Sequence, residues 1–300
     1  MKGGPRPNDF DPKKSHISII IPTHNSSGTI NRCISSLNNQ TYQRENFEII
    51  IVDDSSLDDS VNISKNTGAD KIICIEPCFQ GKARNIGVKN SNADLIAFID
   101  SDCEAKKDWL KIIIDELKNF EAITGPINNG IPQSAIACAQ HFLEFGEHHK
   151  FRKKSQVKFL PGCNQAFRKK TFKITDGFVE FPASEDILLG KSLKKNKVKT
   201  FFIPNMQIFH YGKINHTDFC SHMNLIGKYS VITRKNNPDL SYKWVLTKRY
   251  FIPILFIGKI SKSLIHACHA KNLRKAFFVF PFLVSGTSSF CQGVFKELNQ

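Results

Sequence analysis

The stretch Leu95-Ile96-Ala97-Phe98-Ile99-Asp100-Ser101-Asp102 decides the fold of this chain. Five apolar residues followed at once by two carboxylates are typical of a buried strand whose carboxyl end opens into a site. Carboxylate oxygens suit Mg²⁺ or Mn²⁺, which proteins commonly hold with one or two carboxylates and the oxygens of a substrate phosphate. The motif therefore predicts a site for a divalent cation and a phosphorylated ligand. A solvated turn is the alternative interpretation.

Two earlier apolar runs also read as strands that stop abruptly, one at a proline and one at an aspartate. Ile17–Ile21 is followed by Pro22, and Phe47–Val52 is followed by Asp53. Between them, apolar residues recur at helical spacing over residues 30–37, which predicts a strand-helix-strand unit. With further strands expected after residue 70, this part of the chain is predicted to form a doubly wound α/β sheet, mixed or parallel, flanked by helices. In such folds the ligand binds at the carboxyl ends of the strands.

Composition and charge narrow the class of protein. The chain has 300 residues, of which 41% are hydrophobic, so it can bury a large core, and disordered and fibrous classes are excluded. The net charge is +15, but residues up to Gly130 hold 15 basic and 18 acidic residues, and the rest hold 27 and 9. The second part is expected to meet an anionic partner, which could be a membrane, a nucleic acid or a phosphorylated acceptor. No nucleic-acid-binding signature is present, so a nucleic acid is not expected.

The cysteines and the first residues predict a cytoplasmic location. Nine scattered cysteines, with no Cys-x-x-Cys pair, favour free thiols in a reducing compartment. Residues 1–16 form a polar tail without the apolar core of a signal peptide.

The last part of the chain differs from the rest. Leu240 to Lys296 contains nine Lys and Arg residues and no Asp or Glu, with apolar stretches at Tyr250–Ile257 and Ala276–Val284. Both stretches are shorter than a bilayer span, and Pro253 and Pro281 are expected to interrupt them. Such segments are typical of helices lying at the inner face of a membrane. Packing on the domain or on a second subunit is the alternative.

Five motifs together resemble the inverting family 2 glycosyltransferases of the GT-A fold. They cover about residues 17–235 and follow one another in the order and spacing of that family. They are Ile19-Ile20-Ile21-Pro22-Thr23-His24-Asn25, Ile51-Val52-Asp53-Asp54-Ser55-Ser56, Gly81-Lys82-Ala83-Arg84-Asn85-Ile86-Gly87, Phe98-Ile99-Asp100-Ser101-Asp102 and Glu185-Asp186-Ile187-Leu188-Leu189.

The resemblance implies a role for each motif. Around the nucleotide it implies Pro22, Thr23, Asn25, Asp53, Arg84, Asn85, Asp100 and Ser101. For Mn²⁺ or Mg²⁺ it implies Asp102, with His210 as a further ligand. Asp186 matches the catalytic base, which takes the proton of the acceptor hydroxyl, and Glu185 would orient the acceptor or the base. A structural histidine and a pair of helix-capping acids are the alternatives at His210 and at Glu185-Asp186.

The polar pair Asn164-Gln165 stands where the family often has small residues on its acceptor side, which leaves the acceptor contacts open. The absence of a Gln-x-x-Arg-Trp motif after Glu185-Asp186 indicates a non-processive enzyme. We therefore expect metal-dependent, inverting transfer of one sugar to a lipid-linked or cell-envelope saccharide, with a UDP-sugar favoured over a GDP-sugar as donor. The alternatives are a polyprenyl-phosphate sugar transferase, a basic nucleic-acid-binding protein and an inactive sugar-nucleotide scaffold.

These expectations divide the chain into three parts. A glycosyltransferase domain is predicted over residues 17–235, with a nucleotide-binding half at 17–105 and an acceptor-binding half at 106–235. Residues 236–300 are predicted to form a helical, apolar and basic appendage, which would hold the enzyme peripherally on the inner face of the cell membrane.

Overall fold

The computed structural model describes residues 16–300, so residues 1–15 of the predicted polar tail lie outside the described part. The described chain divides into two compact units. The first contains residues up to 126, 153–181 and 185–209, and the second contains residues 127–152, 182–184 and 210–300. The predicted boundaries at residues 105 and 235 stay predictions.

The described residues form eleven strands. They are β1 (Ile17–Thr23), β2 (Phe47–Asp54), β3 (Lys71–Ile75), β4 (Leu95–Ile99), β5 (Cys103–Ala105), β6 (Ala122–Thr124), β7 (Ile127–Asn129), β8 (Ser155–Val157), β9 (Asn164–Arg168), β10 (Thr200–Phe202) and β11 (Ile208–His210).

An eight-stranded sheet organises the first unit, in the order β3-β2-β1-β4-β9-β6-β10-β8. Strands β3, β2, β1 and β4 pair in parallel, whereas β9 pairs antiparallel with both β4 and β6. The sheet is therefore mixed, and the predicted α/β fold is confirmed. Because β1, β2 and β4 run in the same direction, their carboxyl ends meet at one edge, where the motif residues lie.

Twelve α-helices accompany the strands in the described residues. They are α1 (Ile30–Asn38), α2 (Ser60–Asn66), α3 (Gln80–Lys89), α4 (Trp109–Glu116), α5 (Ala135–Glu144), α6 (Lys169–Lys173), α7 (Glu185–Lys195), α8 (His216–Asn236), α9 (Lys243–Leu246), α10 (Ile252–His269), α11 (Leu273–Phe278) and α12 (Phe280–Leu298). Single 3₁₀ turns lie at Arg44–Asn46, Gly146–His148 and Arg249–Phe251.

The core of the first unit lies between the sheet and its helices. Ile20, Phe98 and Phe167 project from β1, β4 and β9 into one buried cluster, together with Leu189 of α7. Strand β1 is buried along its whole length, as expected for a central strand covered on both faces. The burial of β1 and β4 fixes the positions at which their polar ends emerge.

The second unit is a helical assembly with its own core. Phe219 and Met223 of α8 pack with Leu283 and Phe290 of α12. A Cβ atom at Gly227 would lie 2.1 Å from the carbonyl oxygen of Phe290, so the absence of a side chain lets α8 and α12 approach closely.

The expectation that Pro253 and Pro281 interrupt the C-terminal apolar stretches is wrong. Each proline lies in the first turn of a long helix, α10 or α12. Proline is tolerated there because the first amides of a helix have no intrahelical partner. Both helices therefore continue well beyond the apolar runs seen in the sequence.

Candidate active site

Two loops at the carboxyl edge of the sheet are joined through Asn25. Its backbone amide donates to Ser56 Oγ at 2.9 Å, and its side-chain oxygen accepts from the amide of Leu57 at 2.9 Å. Asn25 has φ of 47°, a left-handed conformation that asparagine tolerates better than most residues. The loops after β1 and β2 thus hold each other in place.

A serine pair joins the β1 loop to the Asp-Ser-Asp loop. Ser26 Oγ lies 2.8 Å from Ser101 Oγ, across 75 positions of sequence. The structure therefore brings together three loops that the motifs place at strand ends, those after β1, β2 and β4. Ser26 is not among the site residues that the family resemblance implies, and serine in a turn is common.

The carboxylate of Asp53 accepts hydrogen bonds from within the turn that follows β2. It accepts hydrogen bonds from the amide of Ser56 at 3.0 Å and from Ser56 Oγ at 2.6 Å, and it is buried. Pro22 and Thr23 are buried at the end of β1, where Thr23 is the register partner of Asp53. The nucleotide contacts expected of these three residues stay predictions.

Asp58 is a residue that sequence reasoning missed. Its carboxylate accepts from the amides of Ser27 and Ser60, at 2.9 and 3.0 Å, and from the hydroxyl of Ser60. Hydrogen bonds from Ser60 and Ser27 hold the pKa of Asp58 well below its ordinary value, against the effect of burial. The position of Asp58, just before helix α2, is the signal that could have found it.

Arg84 forms the centre of the site. Its Nη1 donates to Glu185 Oε1 and its Nη2 to Asp100 Oδ1, each at 2.7 Å, and the side chain is only 1% exposed. The guanidinium also lies over the ring of Phe178, 5.3 Å from the ring centroid. Arg84 thereby joins the Asp-Ser-Asp loop to the first turn of α7. The resemblance implied an arginine near the nucleotide, and the structure adds a role in bridging two carboxylates.

Asp186 lies beside this bridge. Its Oδ2 accepts from the amide of Gly162 at 3.4 Å, and its Oδ1 accepts from the amide of Ile187 at 2.8 Å. Burial, with the adjacent charge of Glu185, raises the pKa of Asp186 to about 8, although Arg84 opposes the shift. A carboxyl group that titrates near neutral pH is suited to accept a proton in a reaction.

Asn85 contacts the backbone of Phe178. Its amide nitrogen donates to the carbonyl of Phe178 at 2.7 Å, and its side-chain oxygen accepts from the amide of Phe178 at 2.9 Å. This reciprocal pair fixes the segment that covers Arg84. The predicted contact of Asn85 with the nucleotide stays a prediction.

Asp100 and Asp102 differ in their surroundings. Asp100 is bound by Arg84, and burial is the largest of the effects that raise its pKa. Asp102 Oδ1 accepts a weak hydrogen bond from the thiol of Cys103 at 3.6 Å. Within residues 16–300, no three His, Cys, Asp or Glu side chains converge as a complete metal cage. Mg²⁺ commonly needs only one or two carboxylates when substrate phosphates complete its shell, so Asp102 fits a cation that arrives with a diphosphate.

His210 is the first residue of the last segment of the second unit, residues 210–300. Its ring packs against Phe145, with the ring centroids 5.0 Å apart, and its carbonyl accepts from the amide of Gly130 at 2.8 Å. The role of His210 as a metal ligand stays a prediction.

Asn164 has a structural role that its sequence context did not reveal. Its side chain is fully buried, accepts from the indole of Trp109 at 2.9 Å and donates to the carbonyls of Pro126 and Met206. Gln165 is fully buried as well. Asn164 is polar because it satisfies buried backbone and indole groups inside the unit, whereas among the described residues the buried side-chain amide of Gln165 has no hydrogen-bond partner.

Comparisons with known proteins show which sequences and folds this chain resembles. The chain is 39% identical over 200 residues, 61% of its length, to the poly(ribitol-phosphate) β-glucosyltransferase of Bacillus spizizenii. It is 42% identical over 89 residues, 29% of its length, to the UDP-Glc:α-D-GlcNAc-diphosphoundecaprenol β-1,3-glucosyltransferase WfaP of Escherichia coli. The chain spans less than half of the length of these curated relatives, 30% of the first and 35% of the second.

A solved structure shows the same fold. TarS residues 1–349 of S. aureus in complex with UDP-GlcNAc matches with a TM-score of 0.53 at 20% identity, covering 88% of this chain and 90% of that one. The sequence profile described as Glycosyl transferase family 2 matches residues 18–174, which is more than half of the chain. The chain described here therefore belongs to glycosyl transferase family 2.

Proposed function

We propose that this glycosyltransferase moves one sugar from a UDP-sugar, with inversion and with the help of a divalent cation, to a hydroxyl of a lipid-linked or cell-envelope saccharide. The observation that carries the proposal is the bridge of Arg84 between Asp100 and Glu185. This bridge joins the loop that holds Asp102, the expected cation ligand, to the helix that begins with Asp186, the expected base.

In the proposed reaction, Asp186 takes the proton of the acceptor hydroxyl. The acceptor oxygen forms a bond to the anomeric carbon on the face opposite the diphosphate, and the bond to the diphosphate oxygen breaks with its electron pair. A cation at Asp102 would offset the negative charge on the leaving group. Arg84 neutralises Glu185, so that the adjacent Asp186 can ionise more easily beside it.

The donor and acceptor classes are inferred from the relatives. The structure of TarS contains UDP-GlcNAc, and the name of WfaP specifies a UDP-glucose donor and a diphosphoundecaprenol acceptor. The name of the Bacillus relative specifies poly(ribitol phosphate) as acceptor. These names support a UDP-sugar donor and an envelope or lipid-linked acceptor. An acceptor of that kind would place the enzyme at the inner face of the cell membrane.

Calorimetry and slow donor hydrolysis test the proposal. UDP-glucose, UDP-GlcNAc and GDP-mannose are titrated with and without Mn²⁺ into wild type, Asp102→Asn, Asp186→Asn and the exposed control Asp176→Asn. We expect metal-dependent binding of a UDP-sugar that Asp102→Asn abolishes. Asp186→Asn should bind the donor yet lose at least about a hundredfold in turnover, because a general base contributes that much. Asp176→Asn should match wild type.

A separate measurement tests whether the configuration at the anomeric carbon is inverted. Proton NMR of the sugar first released by hydrolysis should show the β-anomer when the donor is α-linked, because water then takes the place of the acceptor. Release of the α-anomer would contradict inversion. Binding of no nucleotide sugar under any metal condition would remove the basis of the whole proposal.

A further inference from the structure

Helix α10 exposes an apolar stripe. Ile254, Ile257 and Ile265 are all more than half exposed, and Ile257 is 64% exposed. Their spacing of three and eight residues places them on one side of an α-helix, while Ser263 and Ala267 are buried on the other side. Only 17% of the most apolar window within Arg249–His269 is buried, although in length and composition this segment could cross a membrane.

More exposed apolar groups flank this stripe in the same unit. Phe277 and Phe278 at the end of α11 are exposed, the latter by 80%, and Trp244 and Tyr250 are exposed before α10. Large apolar side chains exposed in a cluster of consecutive elements mark an interaction surface rather than ordinary surface residues. Trp and Tyr are the aromatic residues most enriched where a membrane meets water.

The positive charge of residues 240–296 favours an anionic partner. Residues 240–296 contain nine Lys and Arg and no Asp or Glu, and the exposed side chains include Lys248, Arg249 and Arg274. A second copy of the chain would bring the same positive charge to a symmetric contact, which disfavours self-association through this surface. An anionic lipid surface satisfies both the charge and the apolar groups.

We infer that the surface formed by Trp244, Tyr250, Ile254, Ile257, Ile265, Phe277 and Phe278, with Lys248, Arg249 and Arg274, docks on an anionic phospholipid bilayer. Helix α10 would lie along the interface and not cross it, because one of its sides is packed inside the second unit and the exposed side bears Lys262. The inference rests on the membrane location in the proposed function and is independent of the transfer chemistry.

Vesicle sedimentation with the full chain tests this surface. Vesicles of phosphatidylcholine with phosphatidylglycerol are compared with vesicles of phosphatidylcholine alone. The variants are Ile257→Ser/Phe278→Ser and Lys248→Gln/Arg249→Gln/Arg274→Gln. We expect binding to the anionic vesicles only. The charge variant should lose about a hundredfold in partitioning, since each basic residue contributes about fivefold. The apolar variant should lose about tenfold or more, because two exposed side chains no longer enter the lipid.

Matched controls come from the first unit. Leu57→Ser removes an apolar side chain that is 95% exposed, and Lys170→Gln/Lys194→Gln/Lys195→Gln removes three exposed charges elsewhere. Both controls should bind vesicles like wild type. Equal loss in the controls, equal binding to neutral vesicles, or protein that stays in the vesicles after alkaline carbonate extraction would overturn the inference.

Hydrolysis of the UDP-sugar in vesicle-free solution separates this inference from the proposed function. The docking variants should hydrolyse the donor as fast as wild type. If vesicles bind the protein but no donor is bound, the transferase proposal fails and the docking surface stands. If the donor is hydrolysed without vesicle binding, the docking inference fails alone.

Discussion

The guanidinium of Arg84 donates to Glu185 Oε1 at 2.7 Å and joins helix α3 to the first turn of α7, across 101 positions of sequence. Both side chains are buried. A buried ion pair contributes little net stability, but the loss of one partner leaves an uncompensated charge in a medium of low polarity. The pair therefore makes the geometry of the site sensitive to a single substitution.

Replacing Arg84 with methionine should lower the free energy of unfolding by about 3–5 kcal/mol, because Glu185 and Asp100 would both lose their buried partner. Urea unfolding followed by circular dichroism measures the change. The control Lys82→Met, on the same helix but exposed, should change stability by less than about 1 kcal/mol. The double variant Arg84→Met/Glu185→Gln should recover part of the loss. An Arg84→Met protein as stable as wild type would contradict this account of the bridge.

Asp186→Asn should raise thermal stability by an amount that grows with pH. The ordinary pKa of this carboxyl is 3.8 and the folded value is about 8, so the folded state binds the proton more tightly. The corresponding stability is fully present below about pH 3.8 and is lost as pH rises to about 8. Asparagine cannot ionise, so its advantage over wild type should increase across that range and then level off.

Differential scanning calorimetry from pH 4 to 9 measures this difference in melting temperature. Asp176→Asn, at an exposed position, should differ from wild type by an amount that does not vary over the same range. A difference between Asp186→Asn and wild type that is the same at every pH would show that Asp186 titrates at its ordinary value.

Gly162→Ala should disturb the bridge directly. A Cβ atom there would lie 2.7 Å from Arg84 Nη2 and 2.9 Å from Cζ, and the guanidinium is held on both sides by carboxylates. We expect a loss of about 1–3 kcal/mol in unfolding free energy, as for other overpacked buried sites. Gly28→Ala, where nothing lies within 4 Å of the added carbon, should leave the urea midpoint unchanged. If Gly162→Ala leaves the free energy of unfolding unchanged, the guanidinium of Arg84 can move aside at little energetic cost.

Asn85→Ala should lower stability by about 1–3 kcal/mol, because the amide and carbonyl of Phe178 would both lose their partner. Chemical unfolding and calorimetry with UDP distinguish two roles. If Asn85 is structural, stability falls while the Kd for UDP changes less than it does in Asp102→Asn. Weaker UDP binding at unchanged stability would instead support the contact with the nucleotide that the family resemblance implies. Asn196→Ala, at an exposed position in the turn after α7, serves as the control.

Short-range sequence patterns predict the end of strand β4 correctly, but they do not predict where the C-terminal helices begin. The run Leu95–Ile99 is strand β4 with the predicted bounds, because apolar periodicity and turn residues act over a few positions. The sequence predicts that Pro253 and Pro281 interrupt the apolar stretches, yet each lies in the first turn of a helix. Sequence alone did not distinguish these two positions, because proline both ends and begins helices.

The sequence by itself determined the α/β class, the family and the identity of the residues at the strand ends, because these depend on short apolar runs and on motif order. Only the tertiary structure decided what those side chains contact. Arg84 lies between Asp100 and Glu185, and Asn85 binds the backbone of Phe178. The contacts of Arg84 with Glu185 and of Asn85 with Phe178 join positions 101 and 93 residues apart, and the sheet that brings them together leaves no local trace in the pattern of the chain.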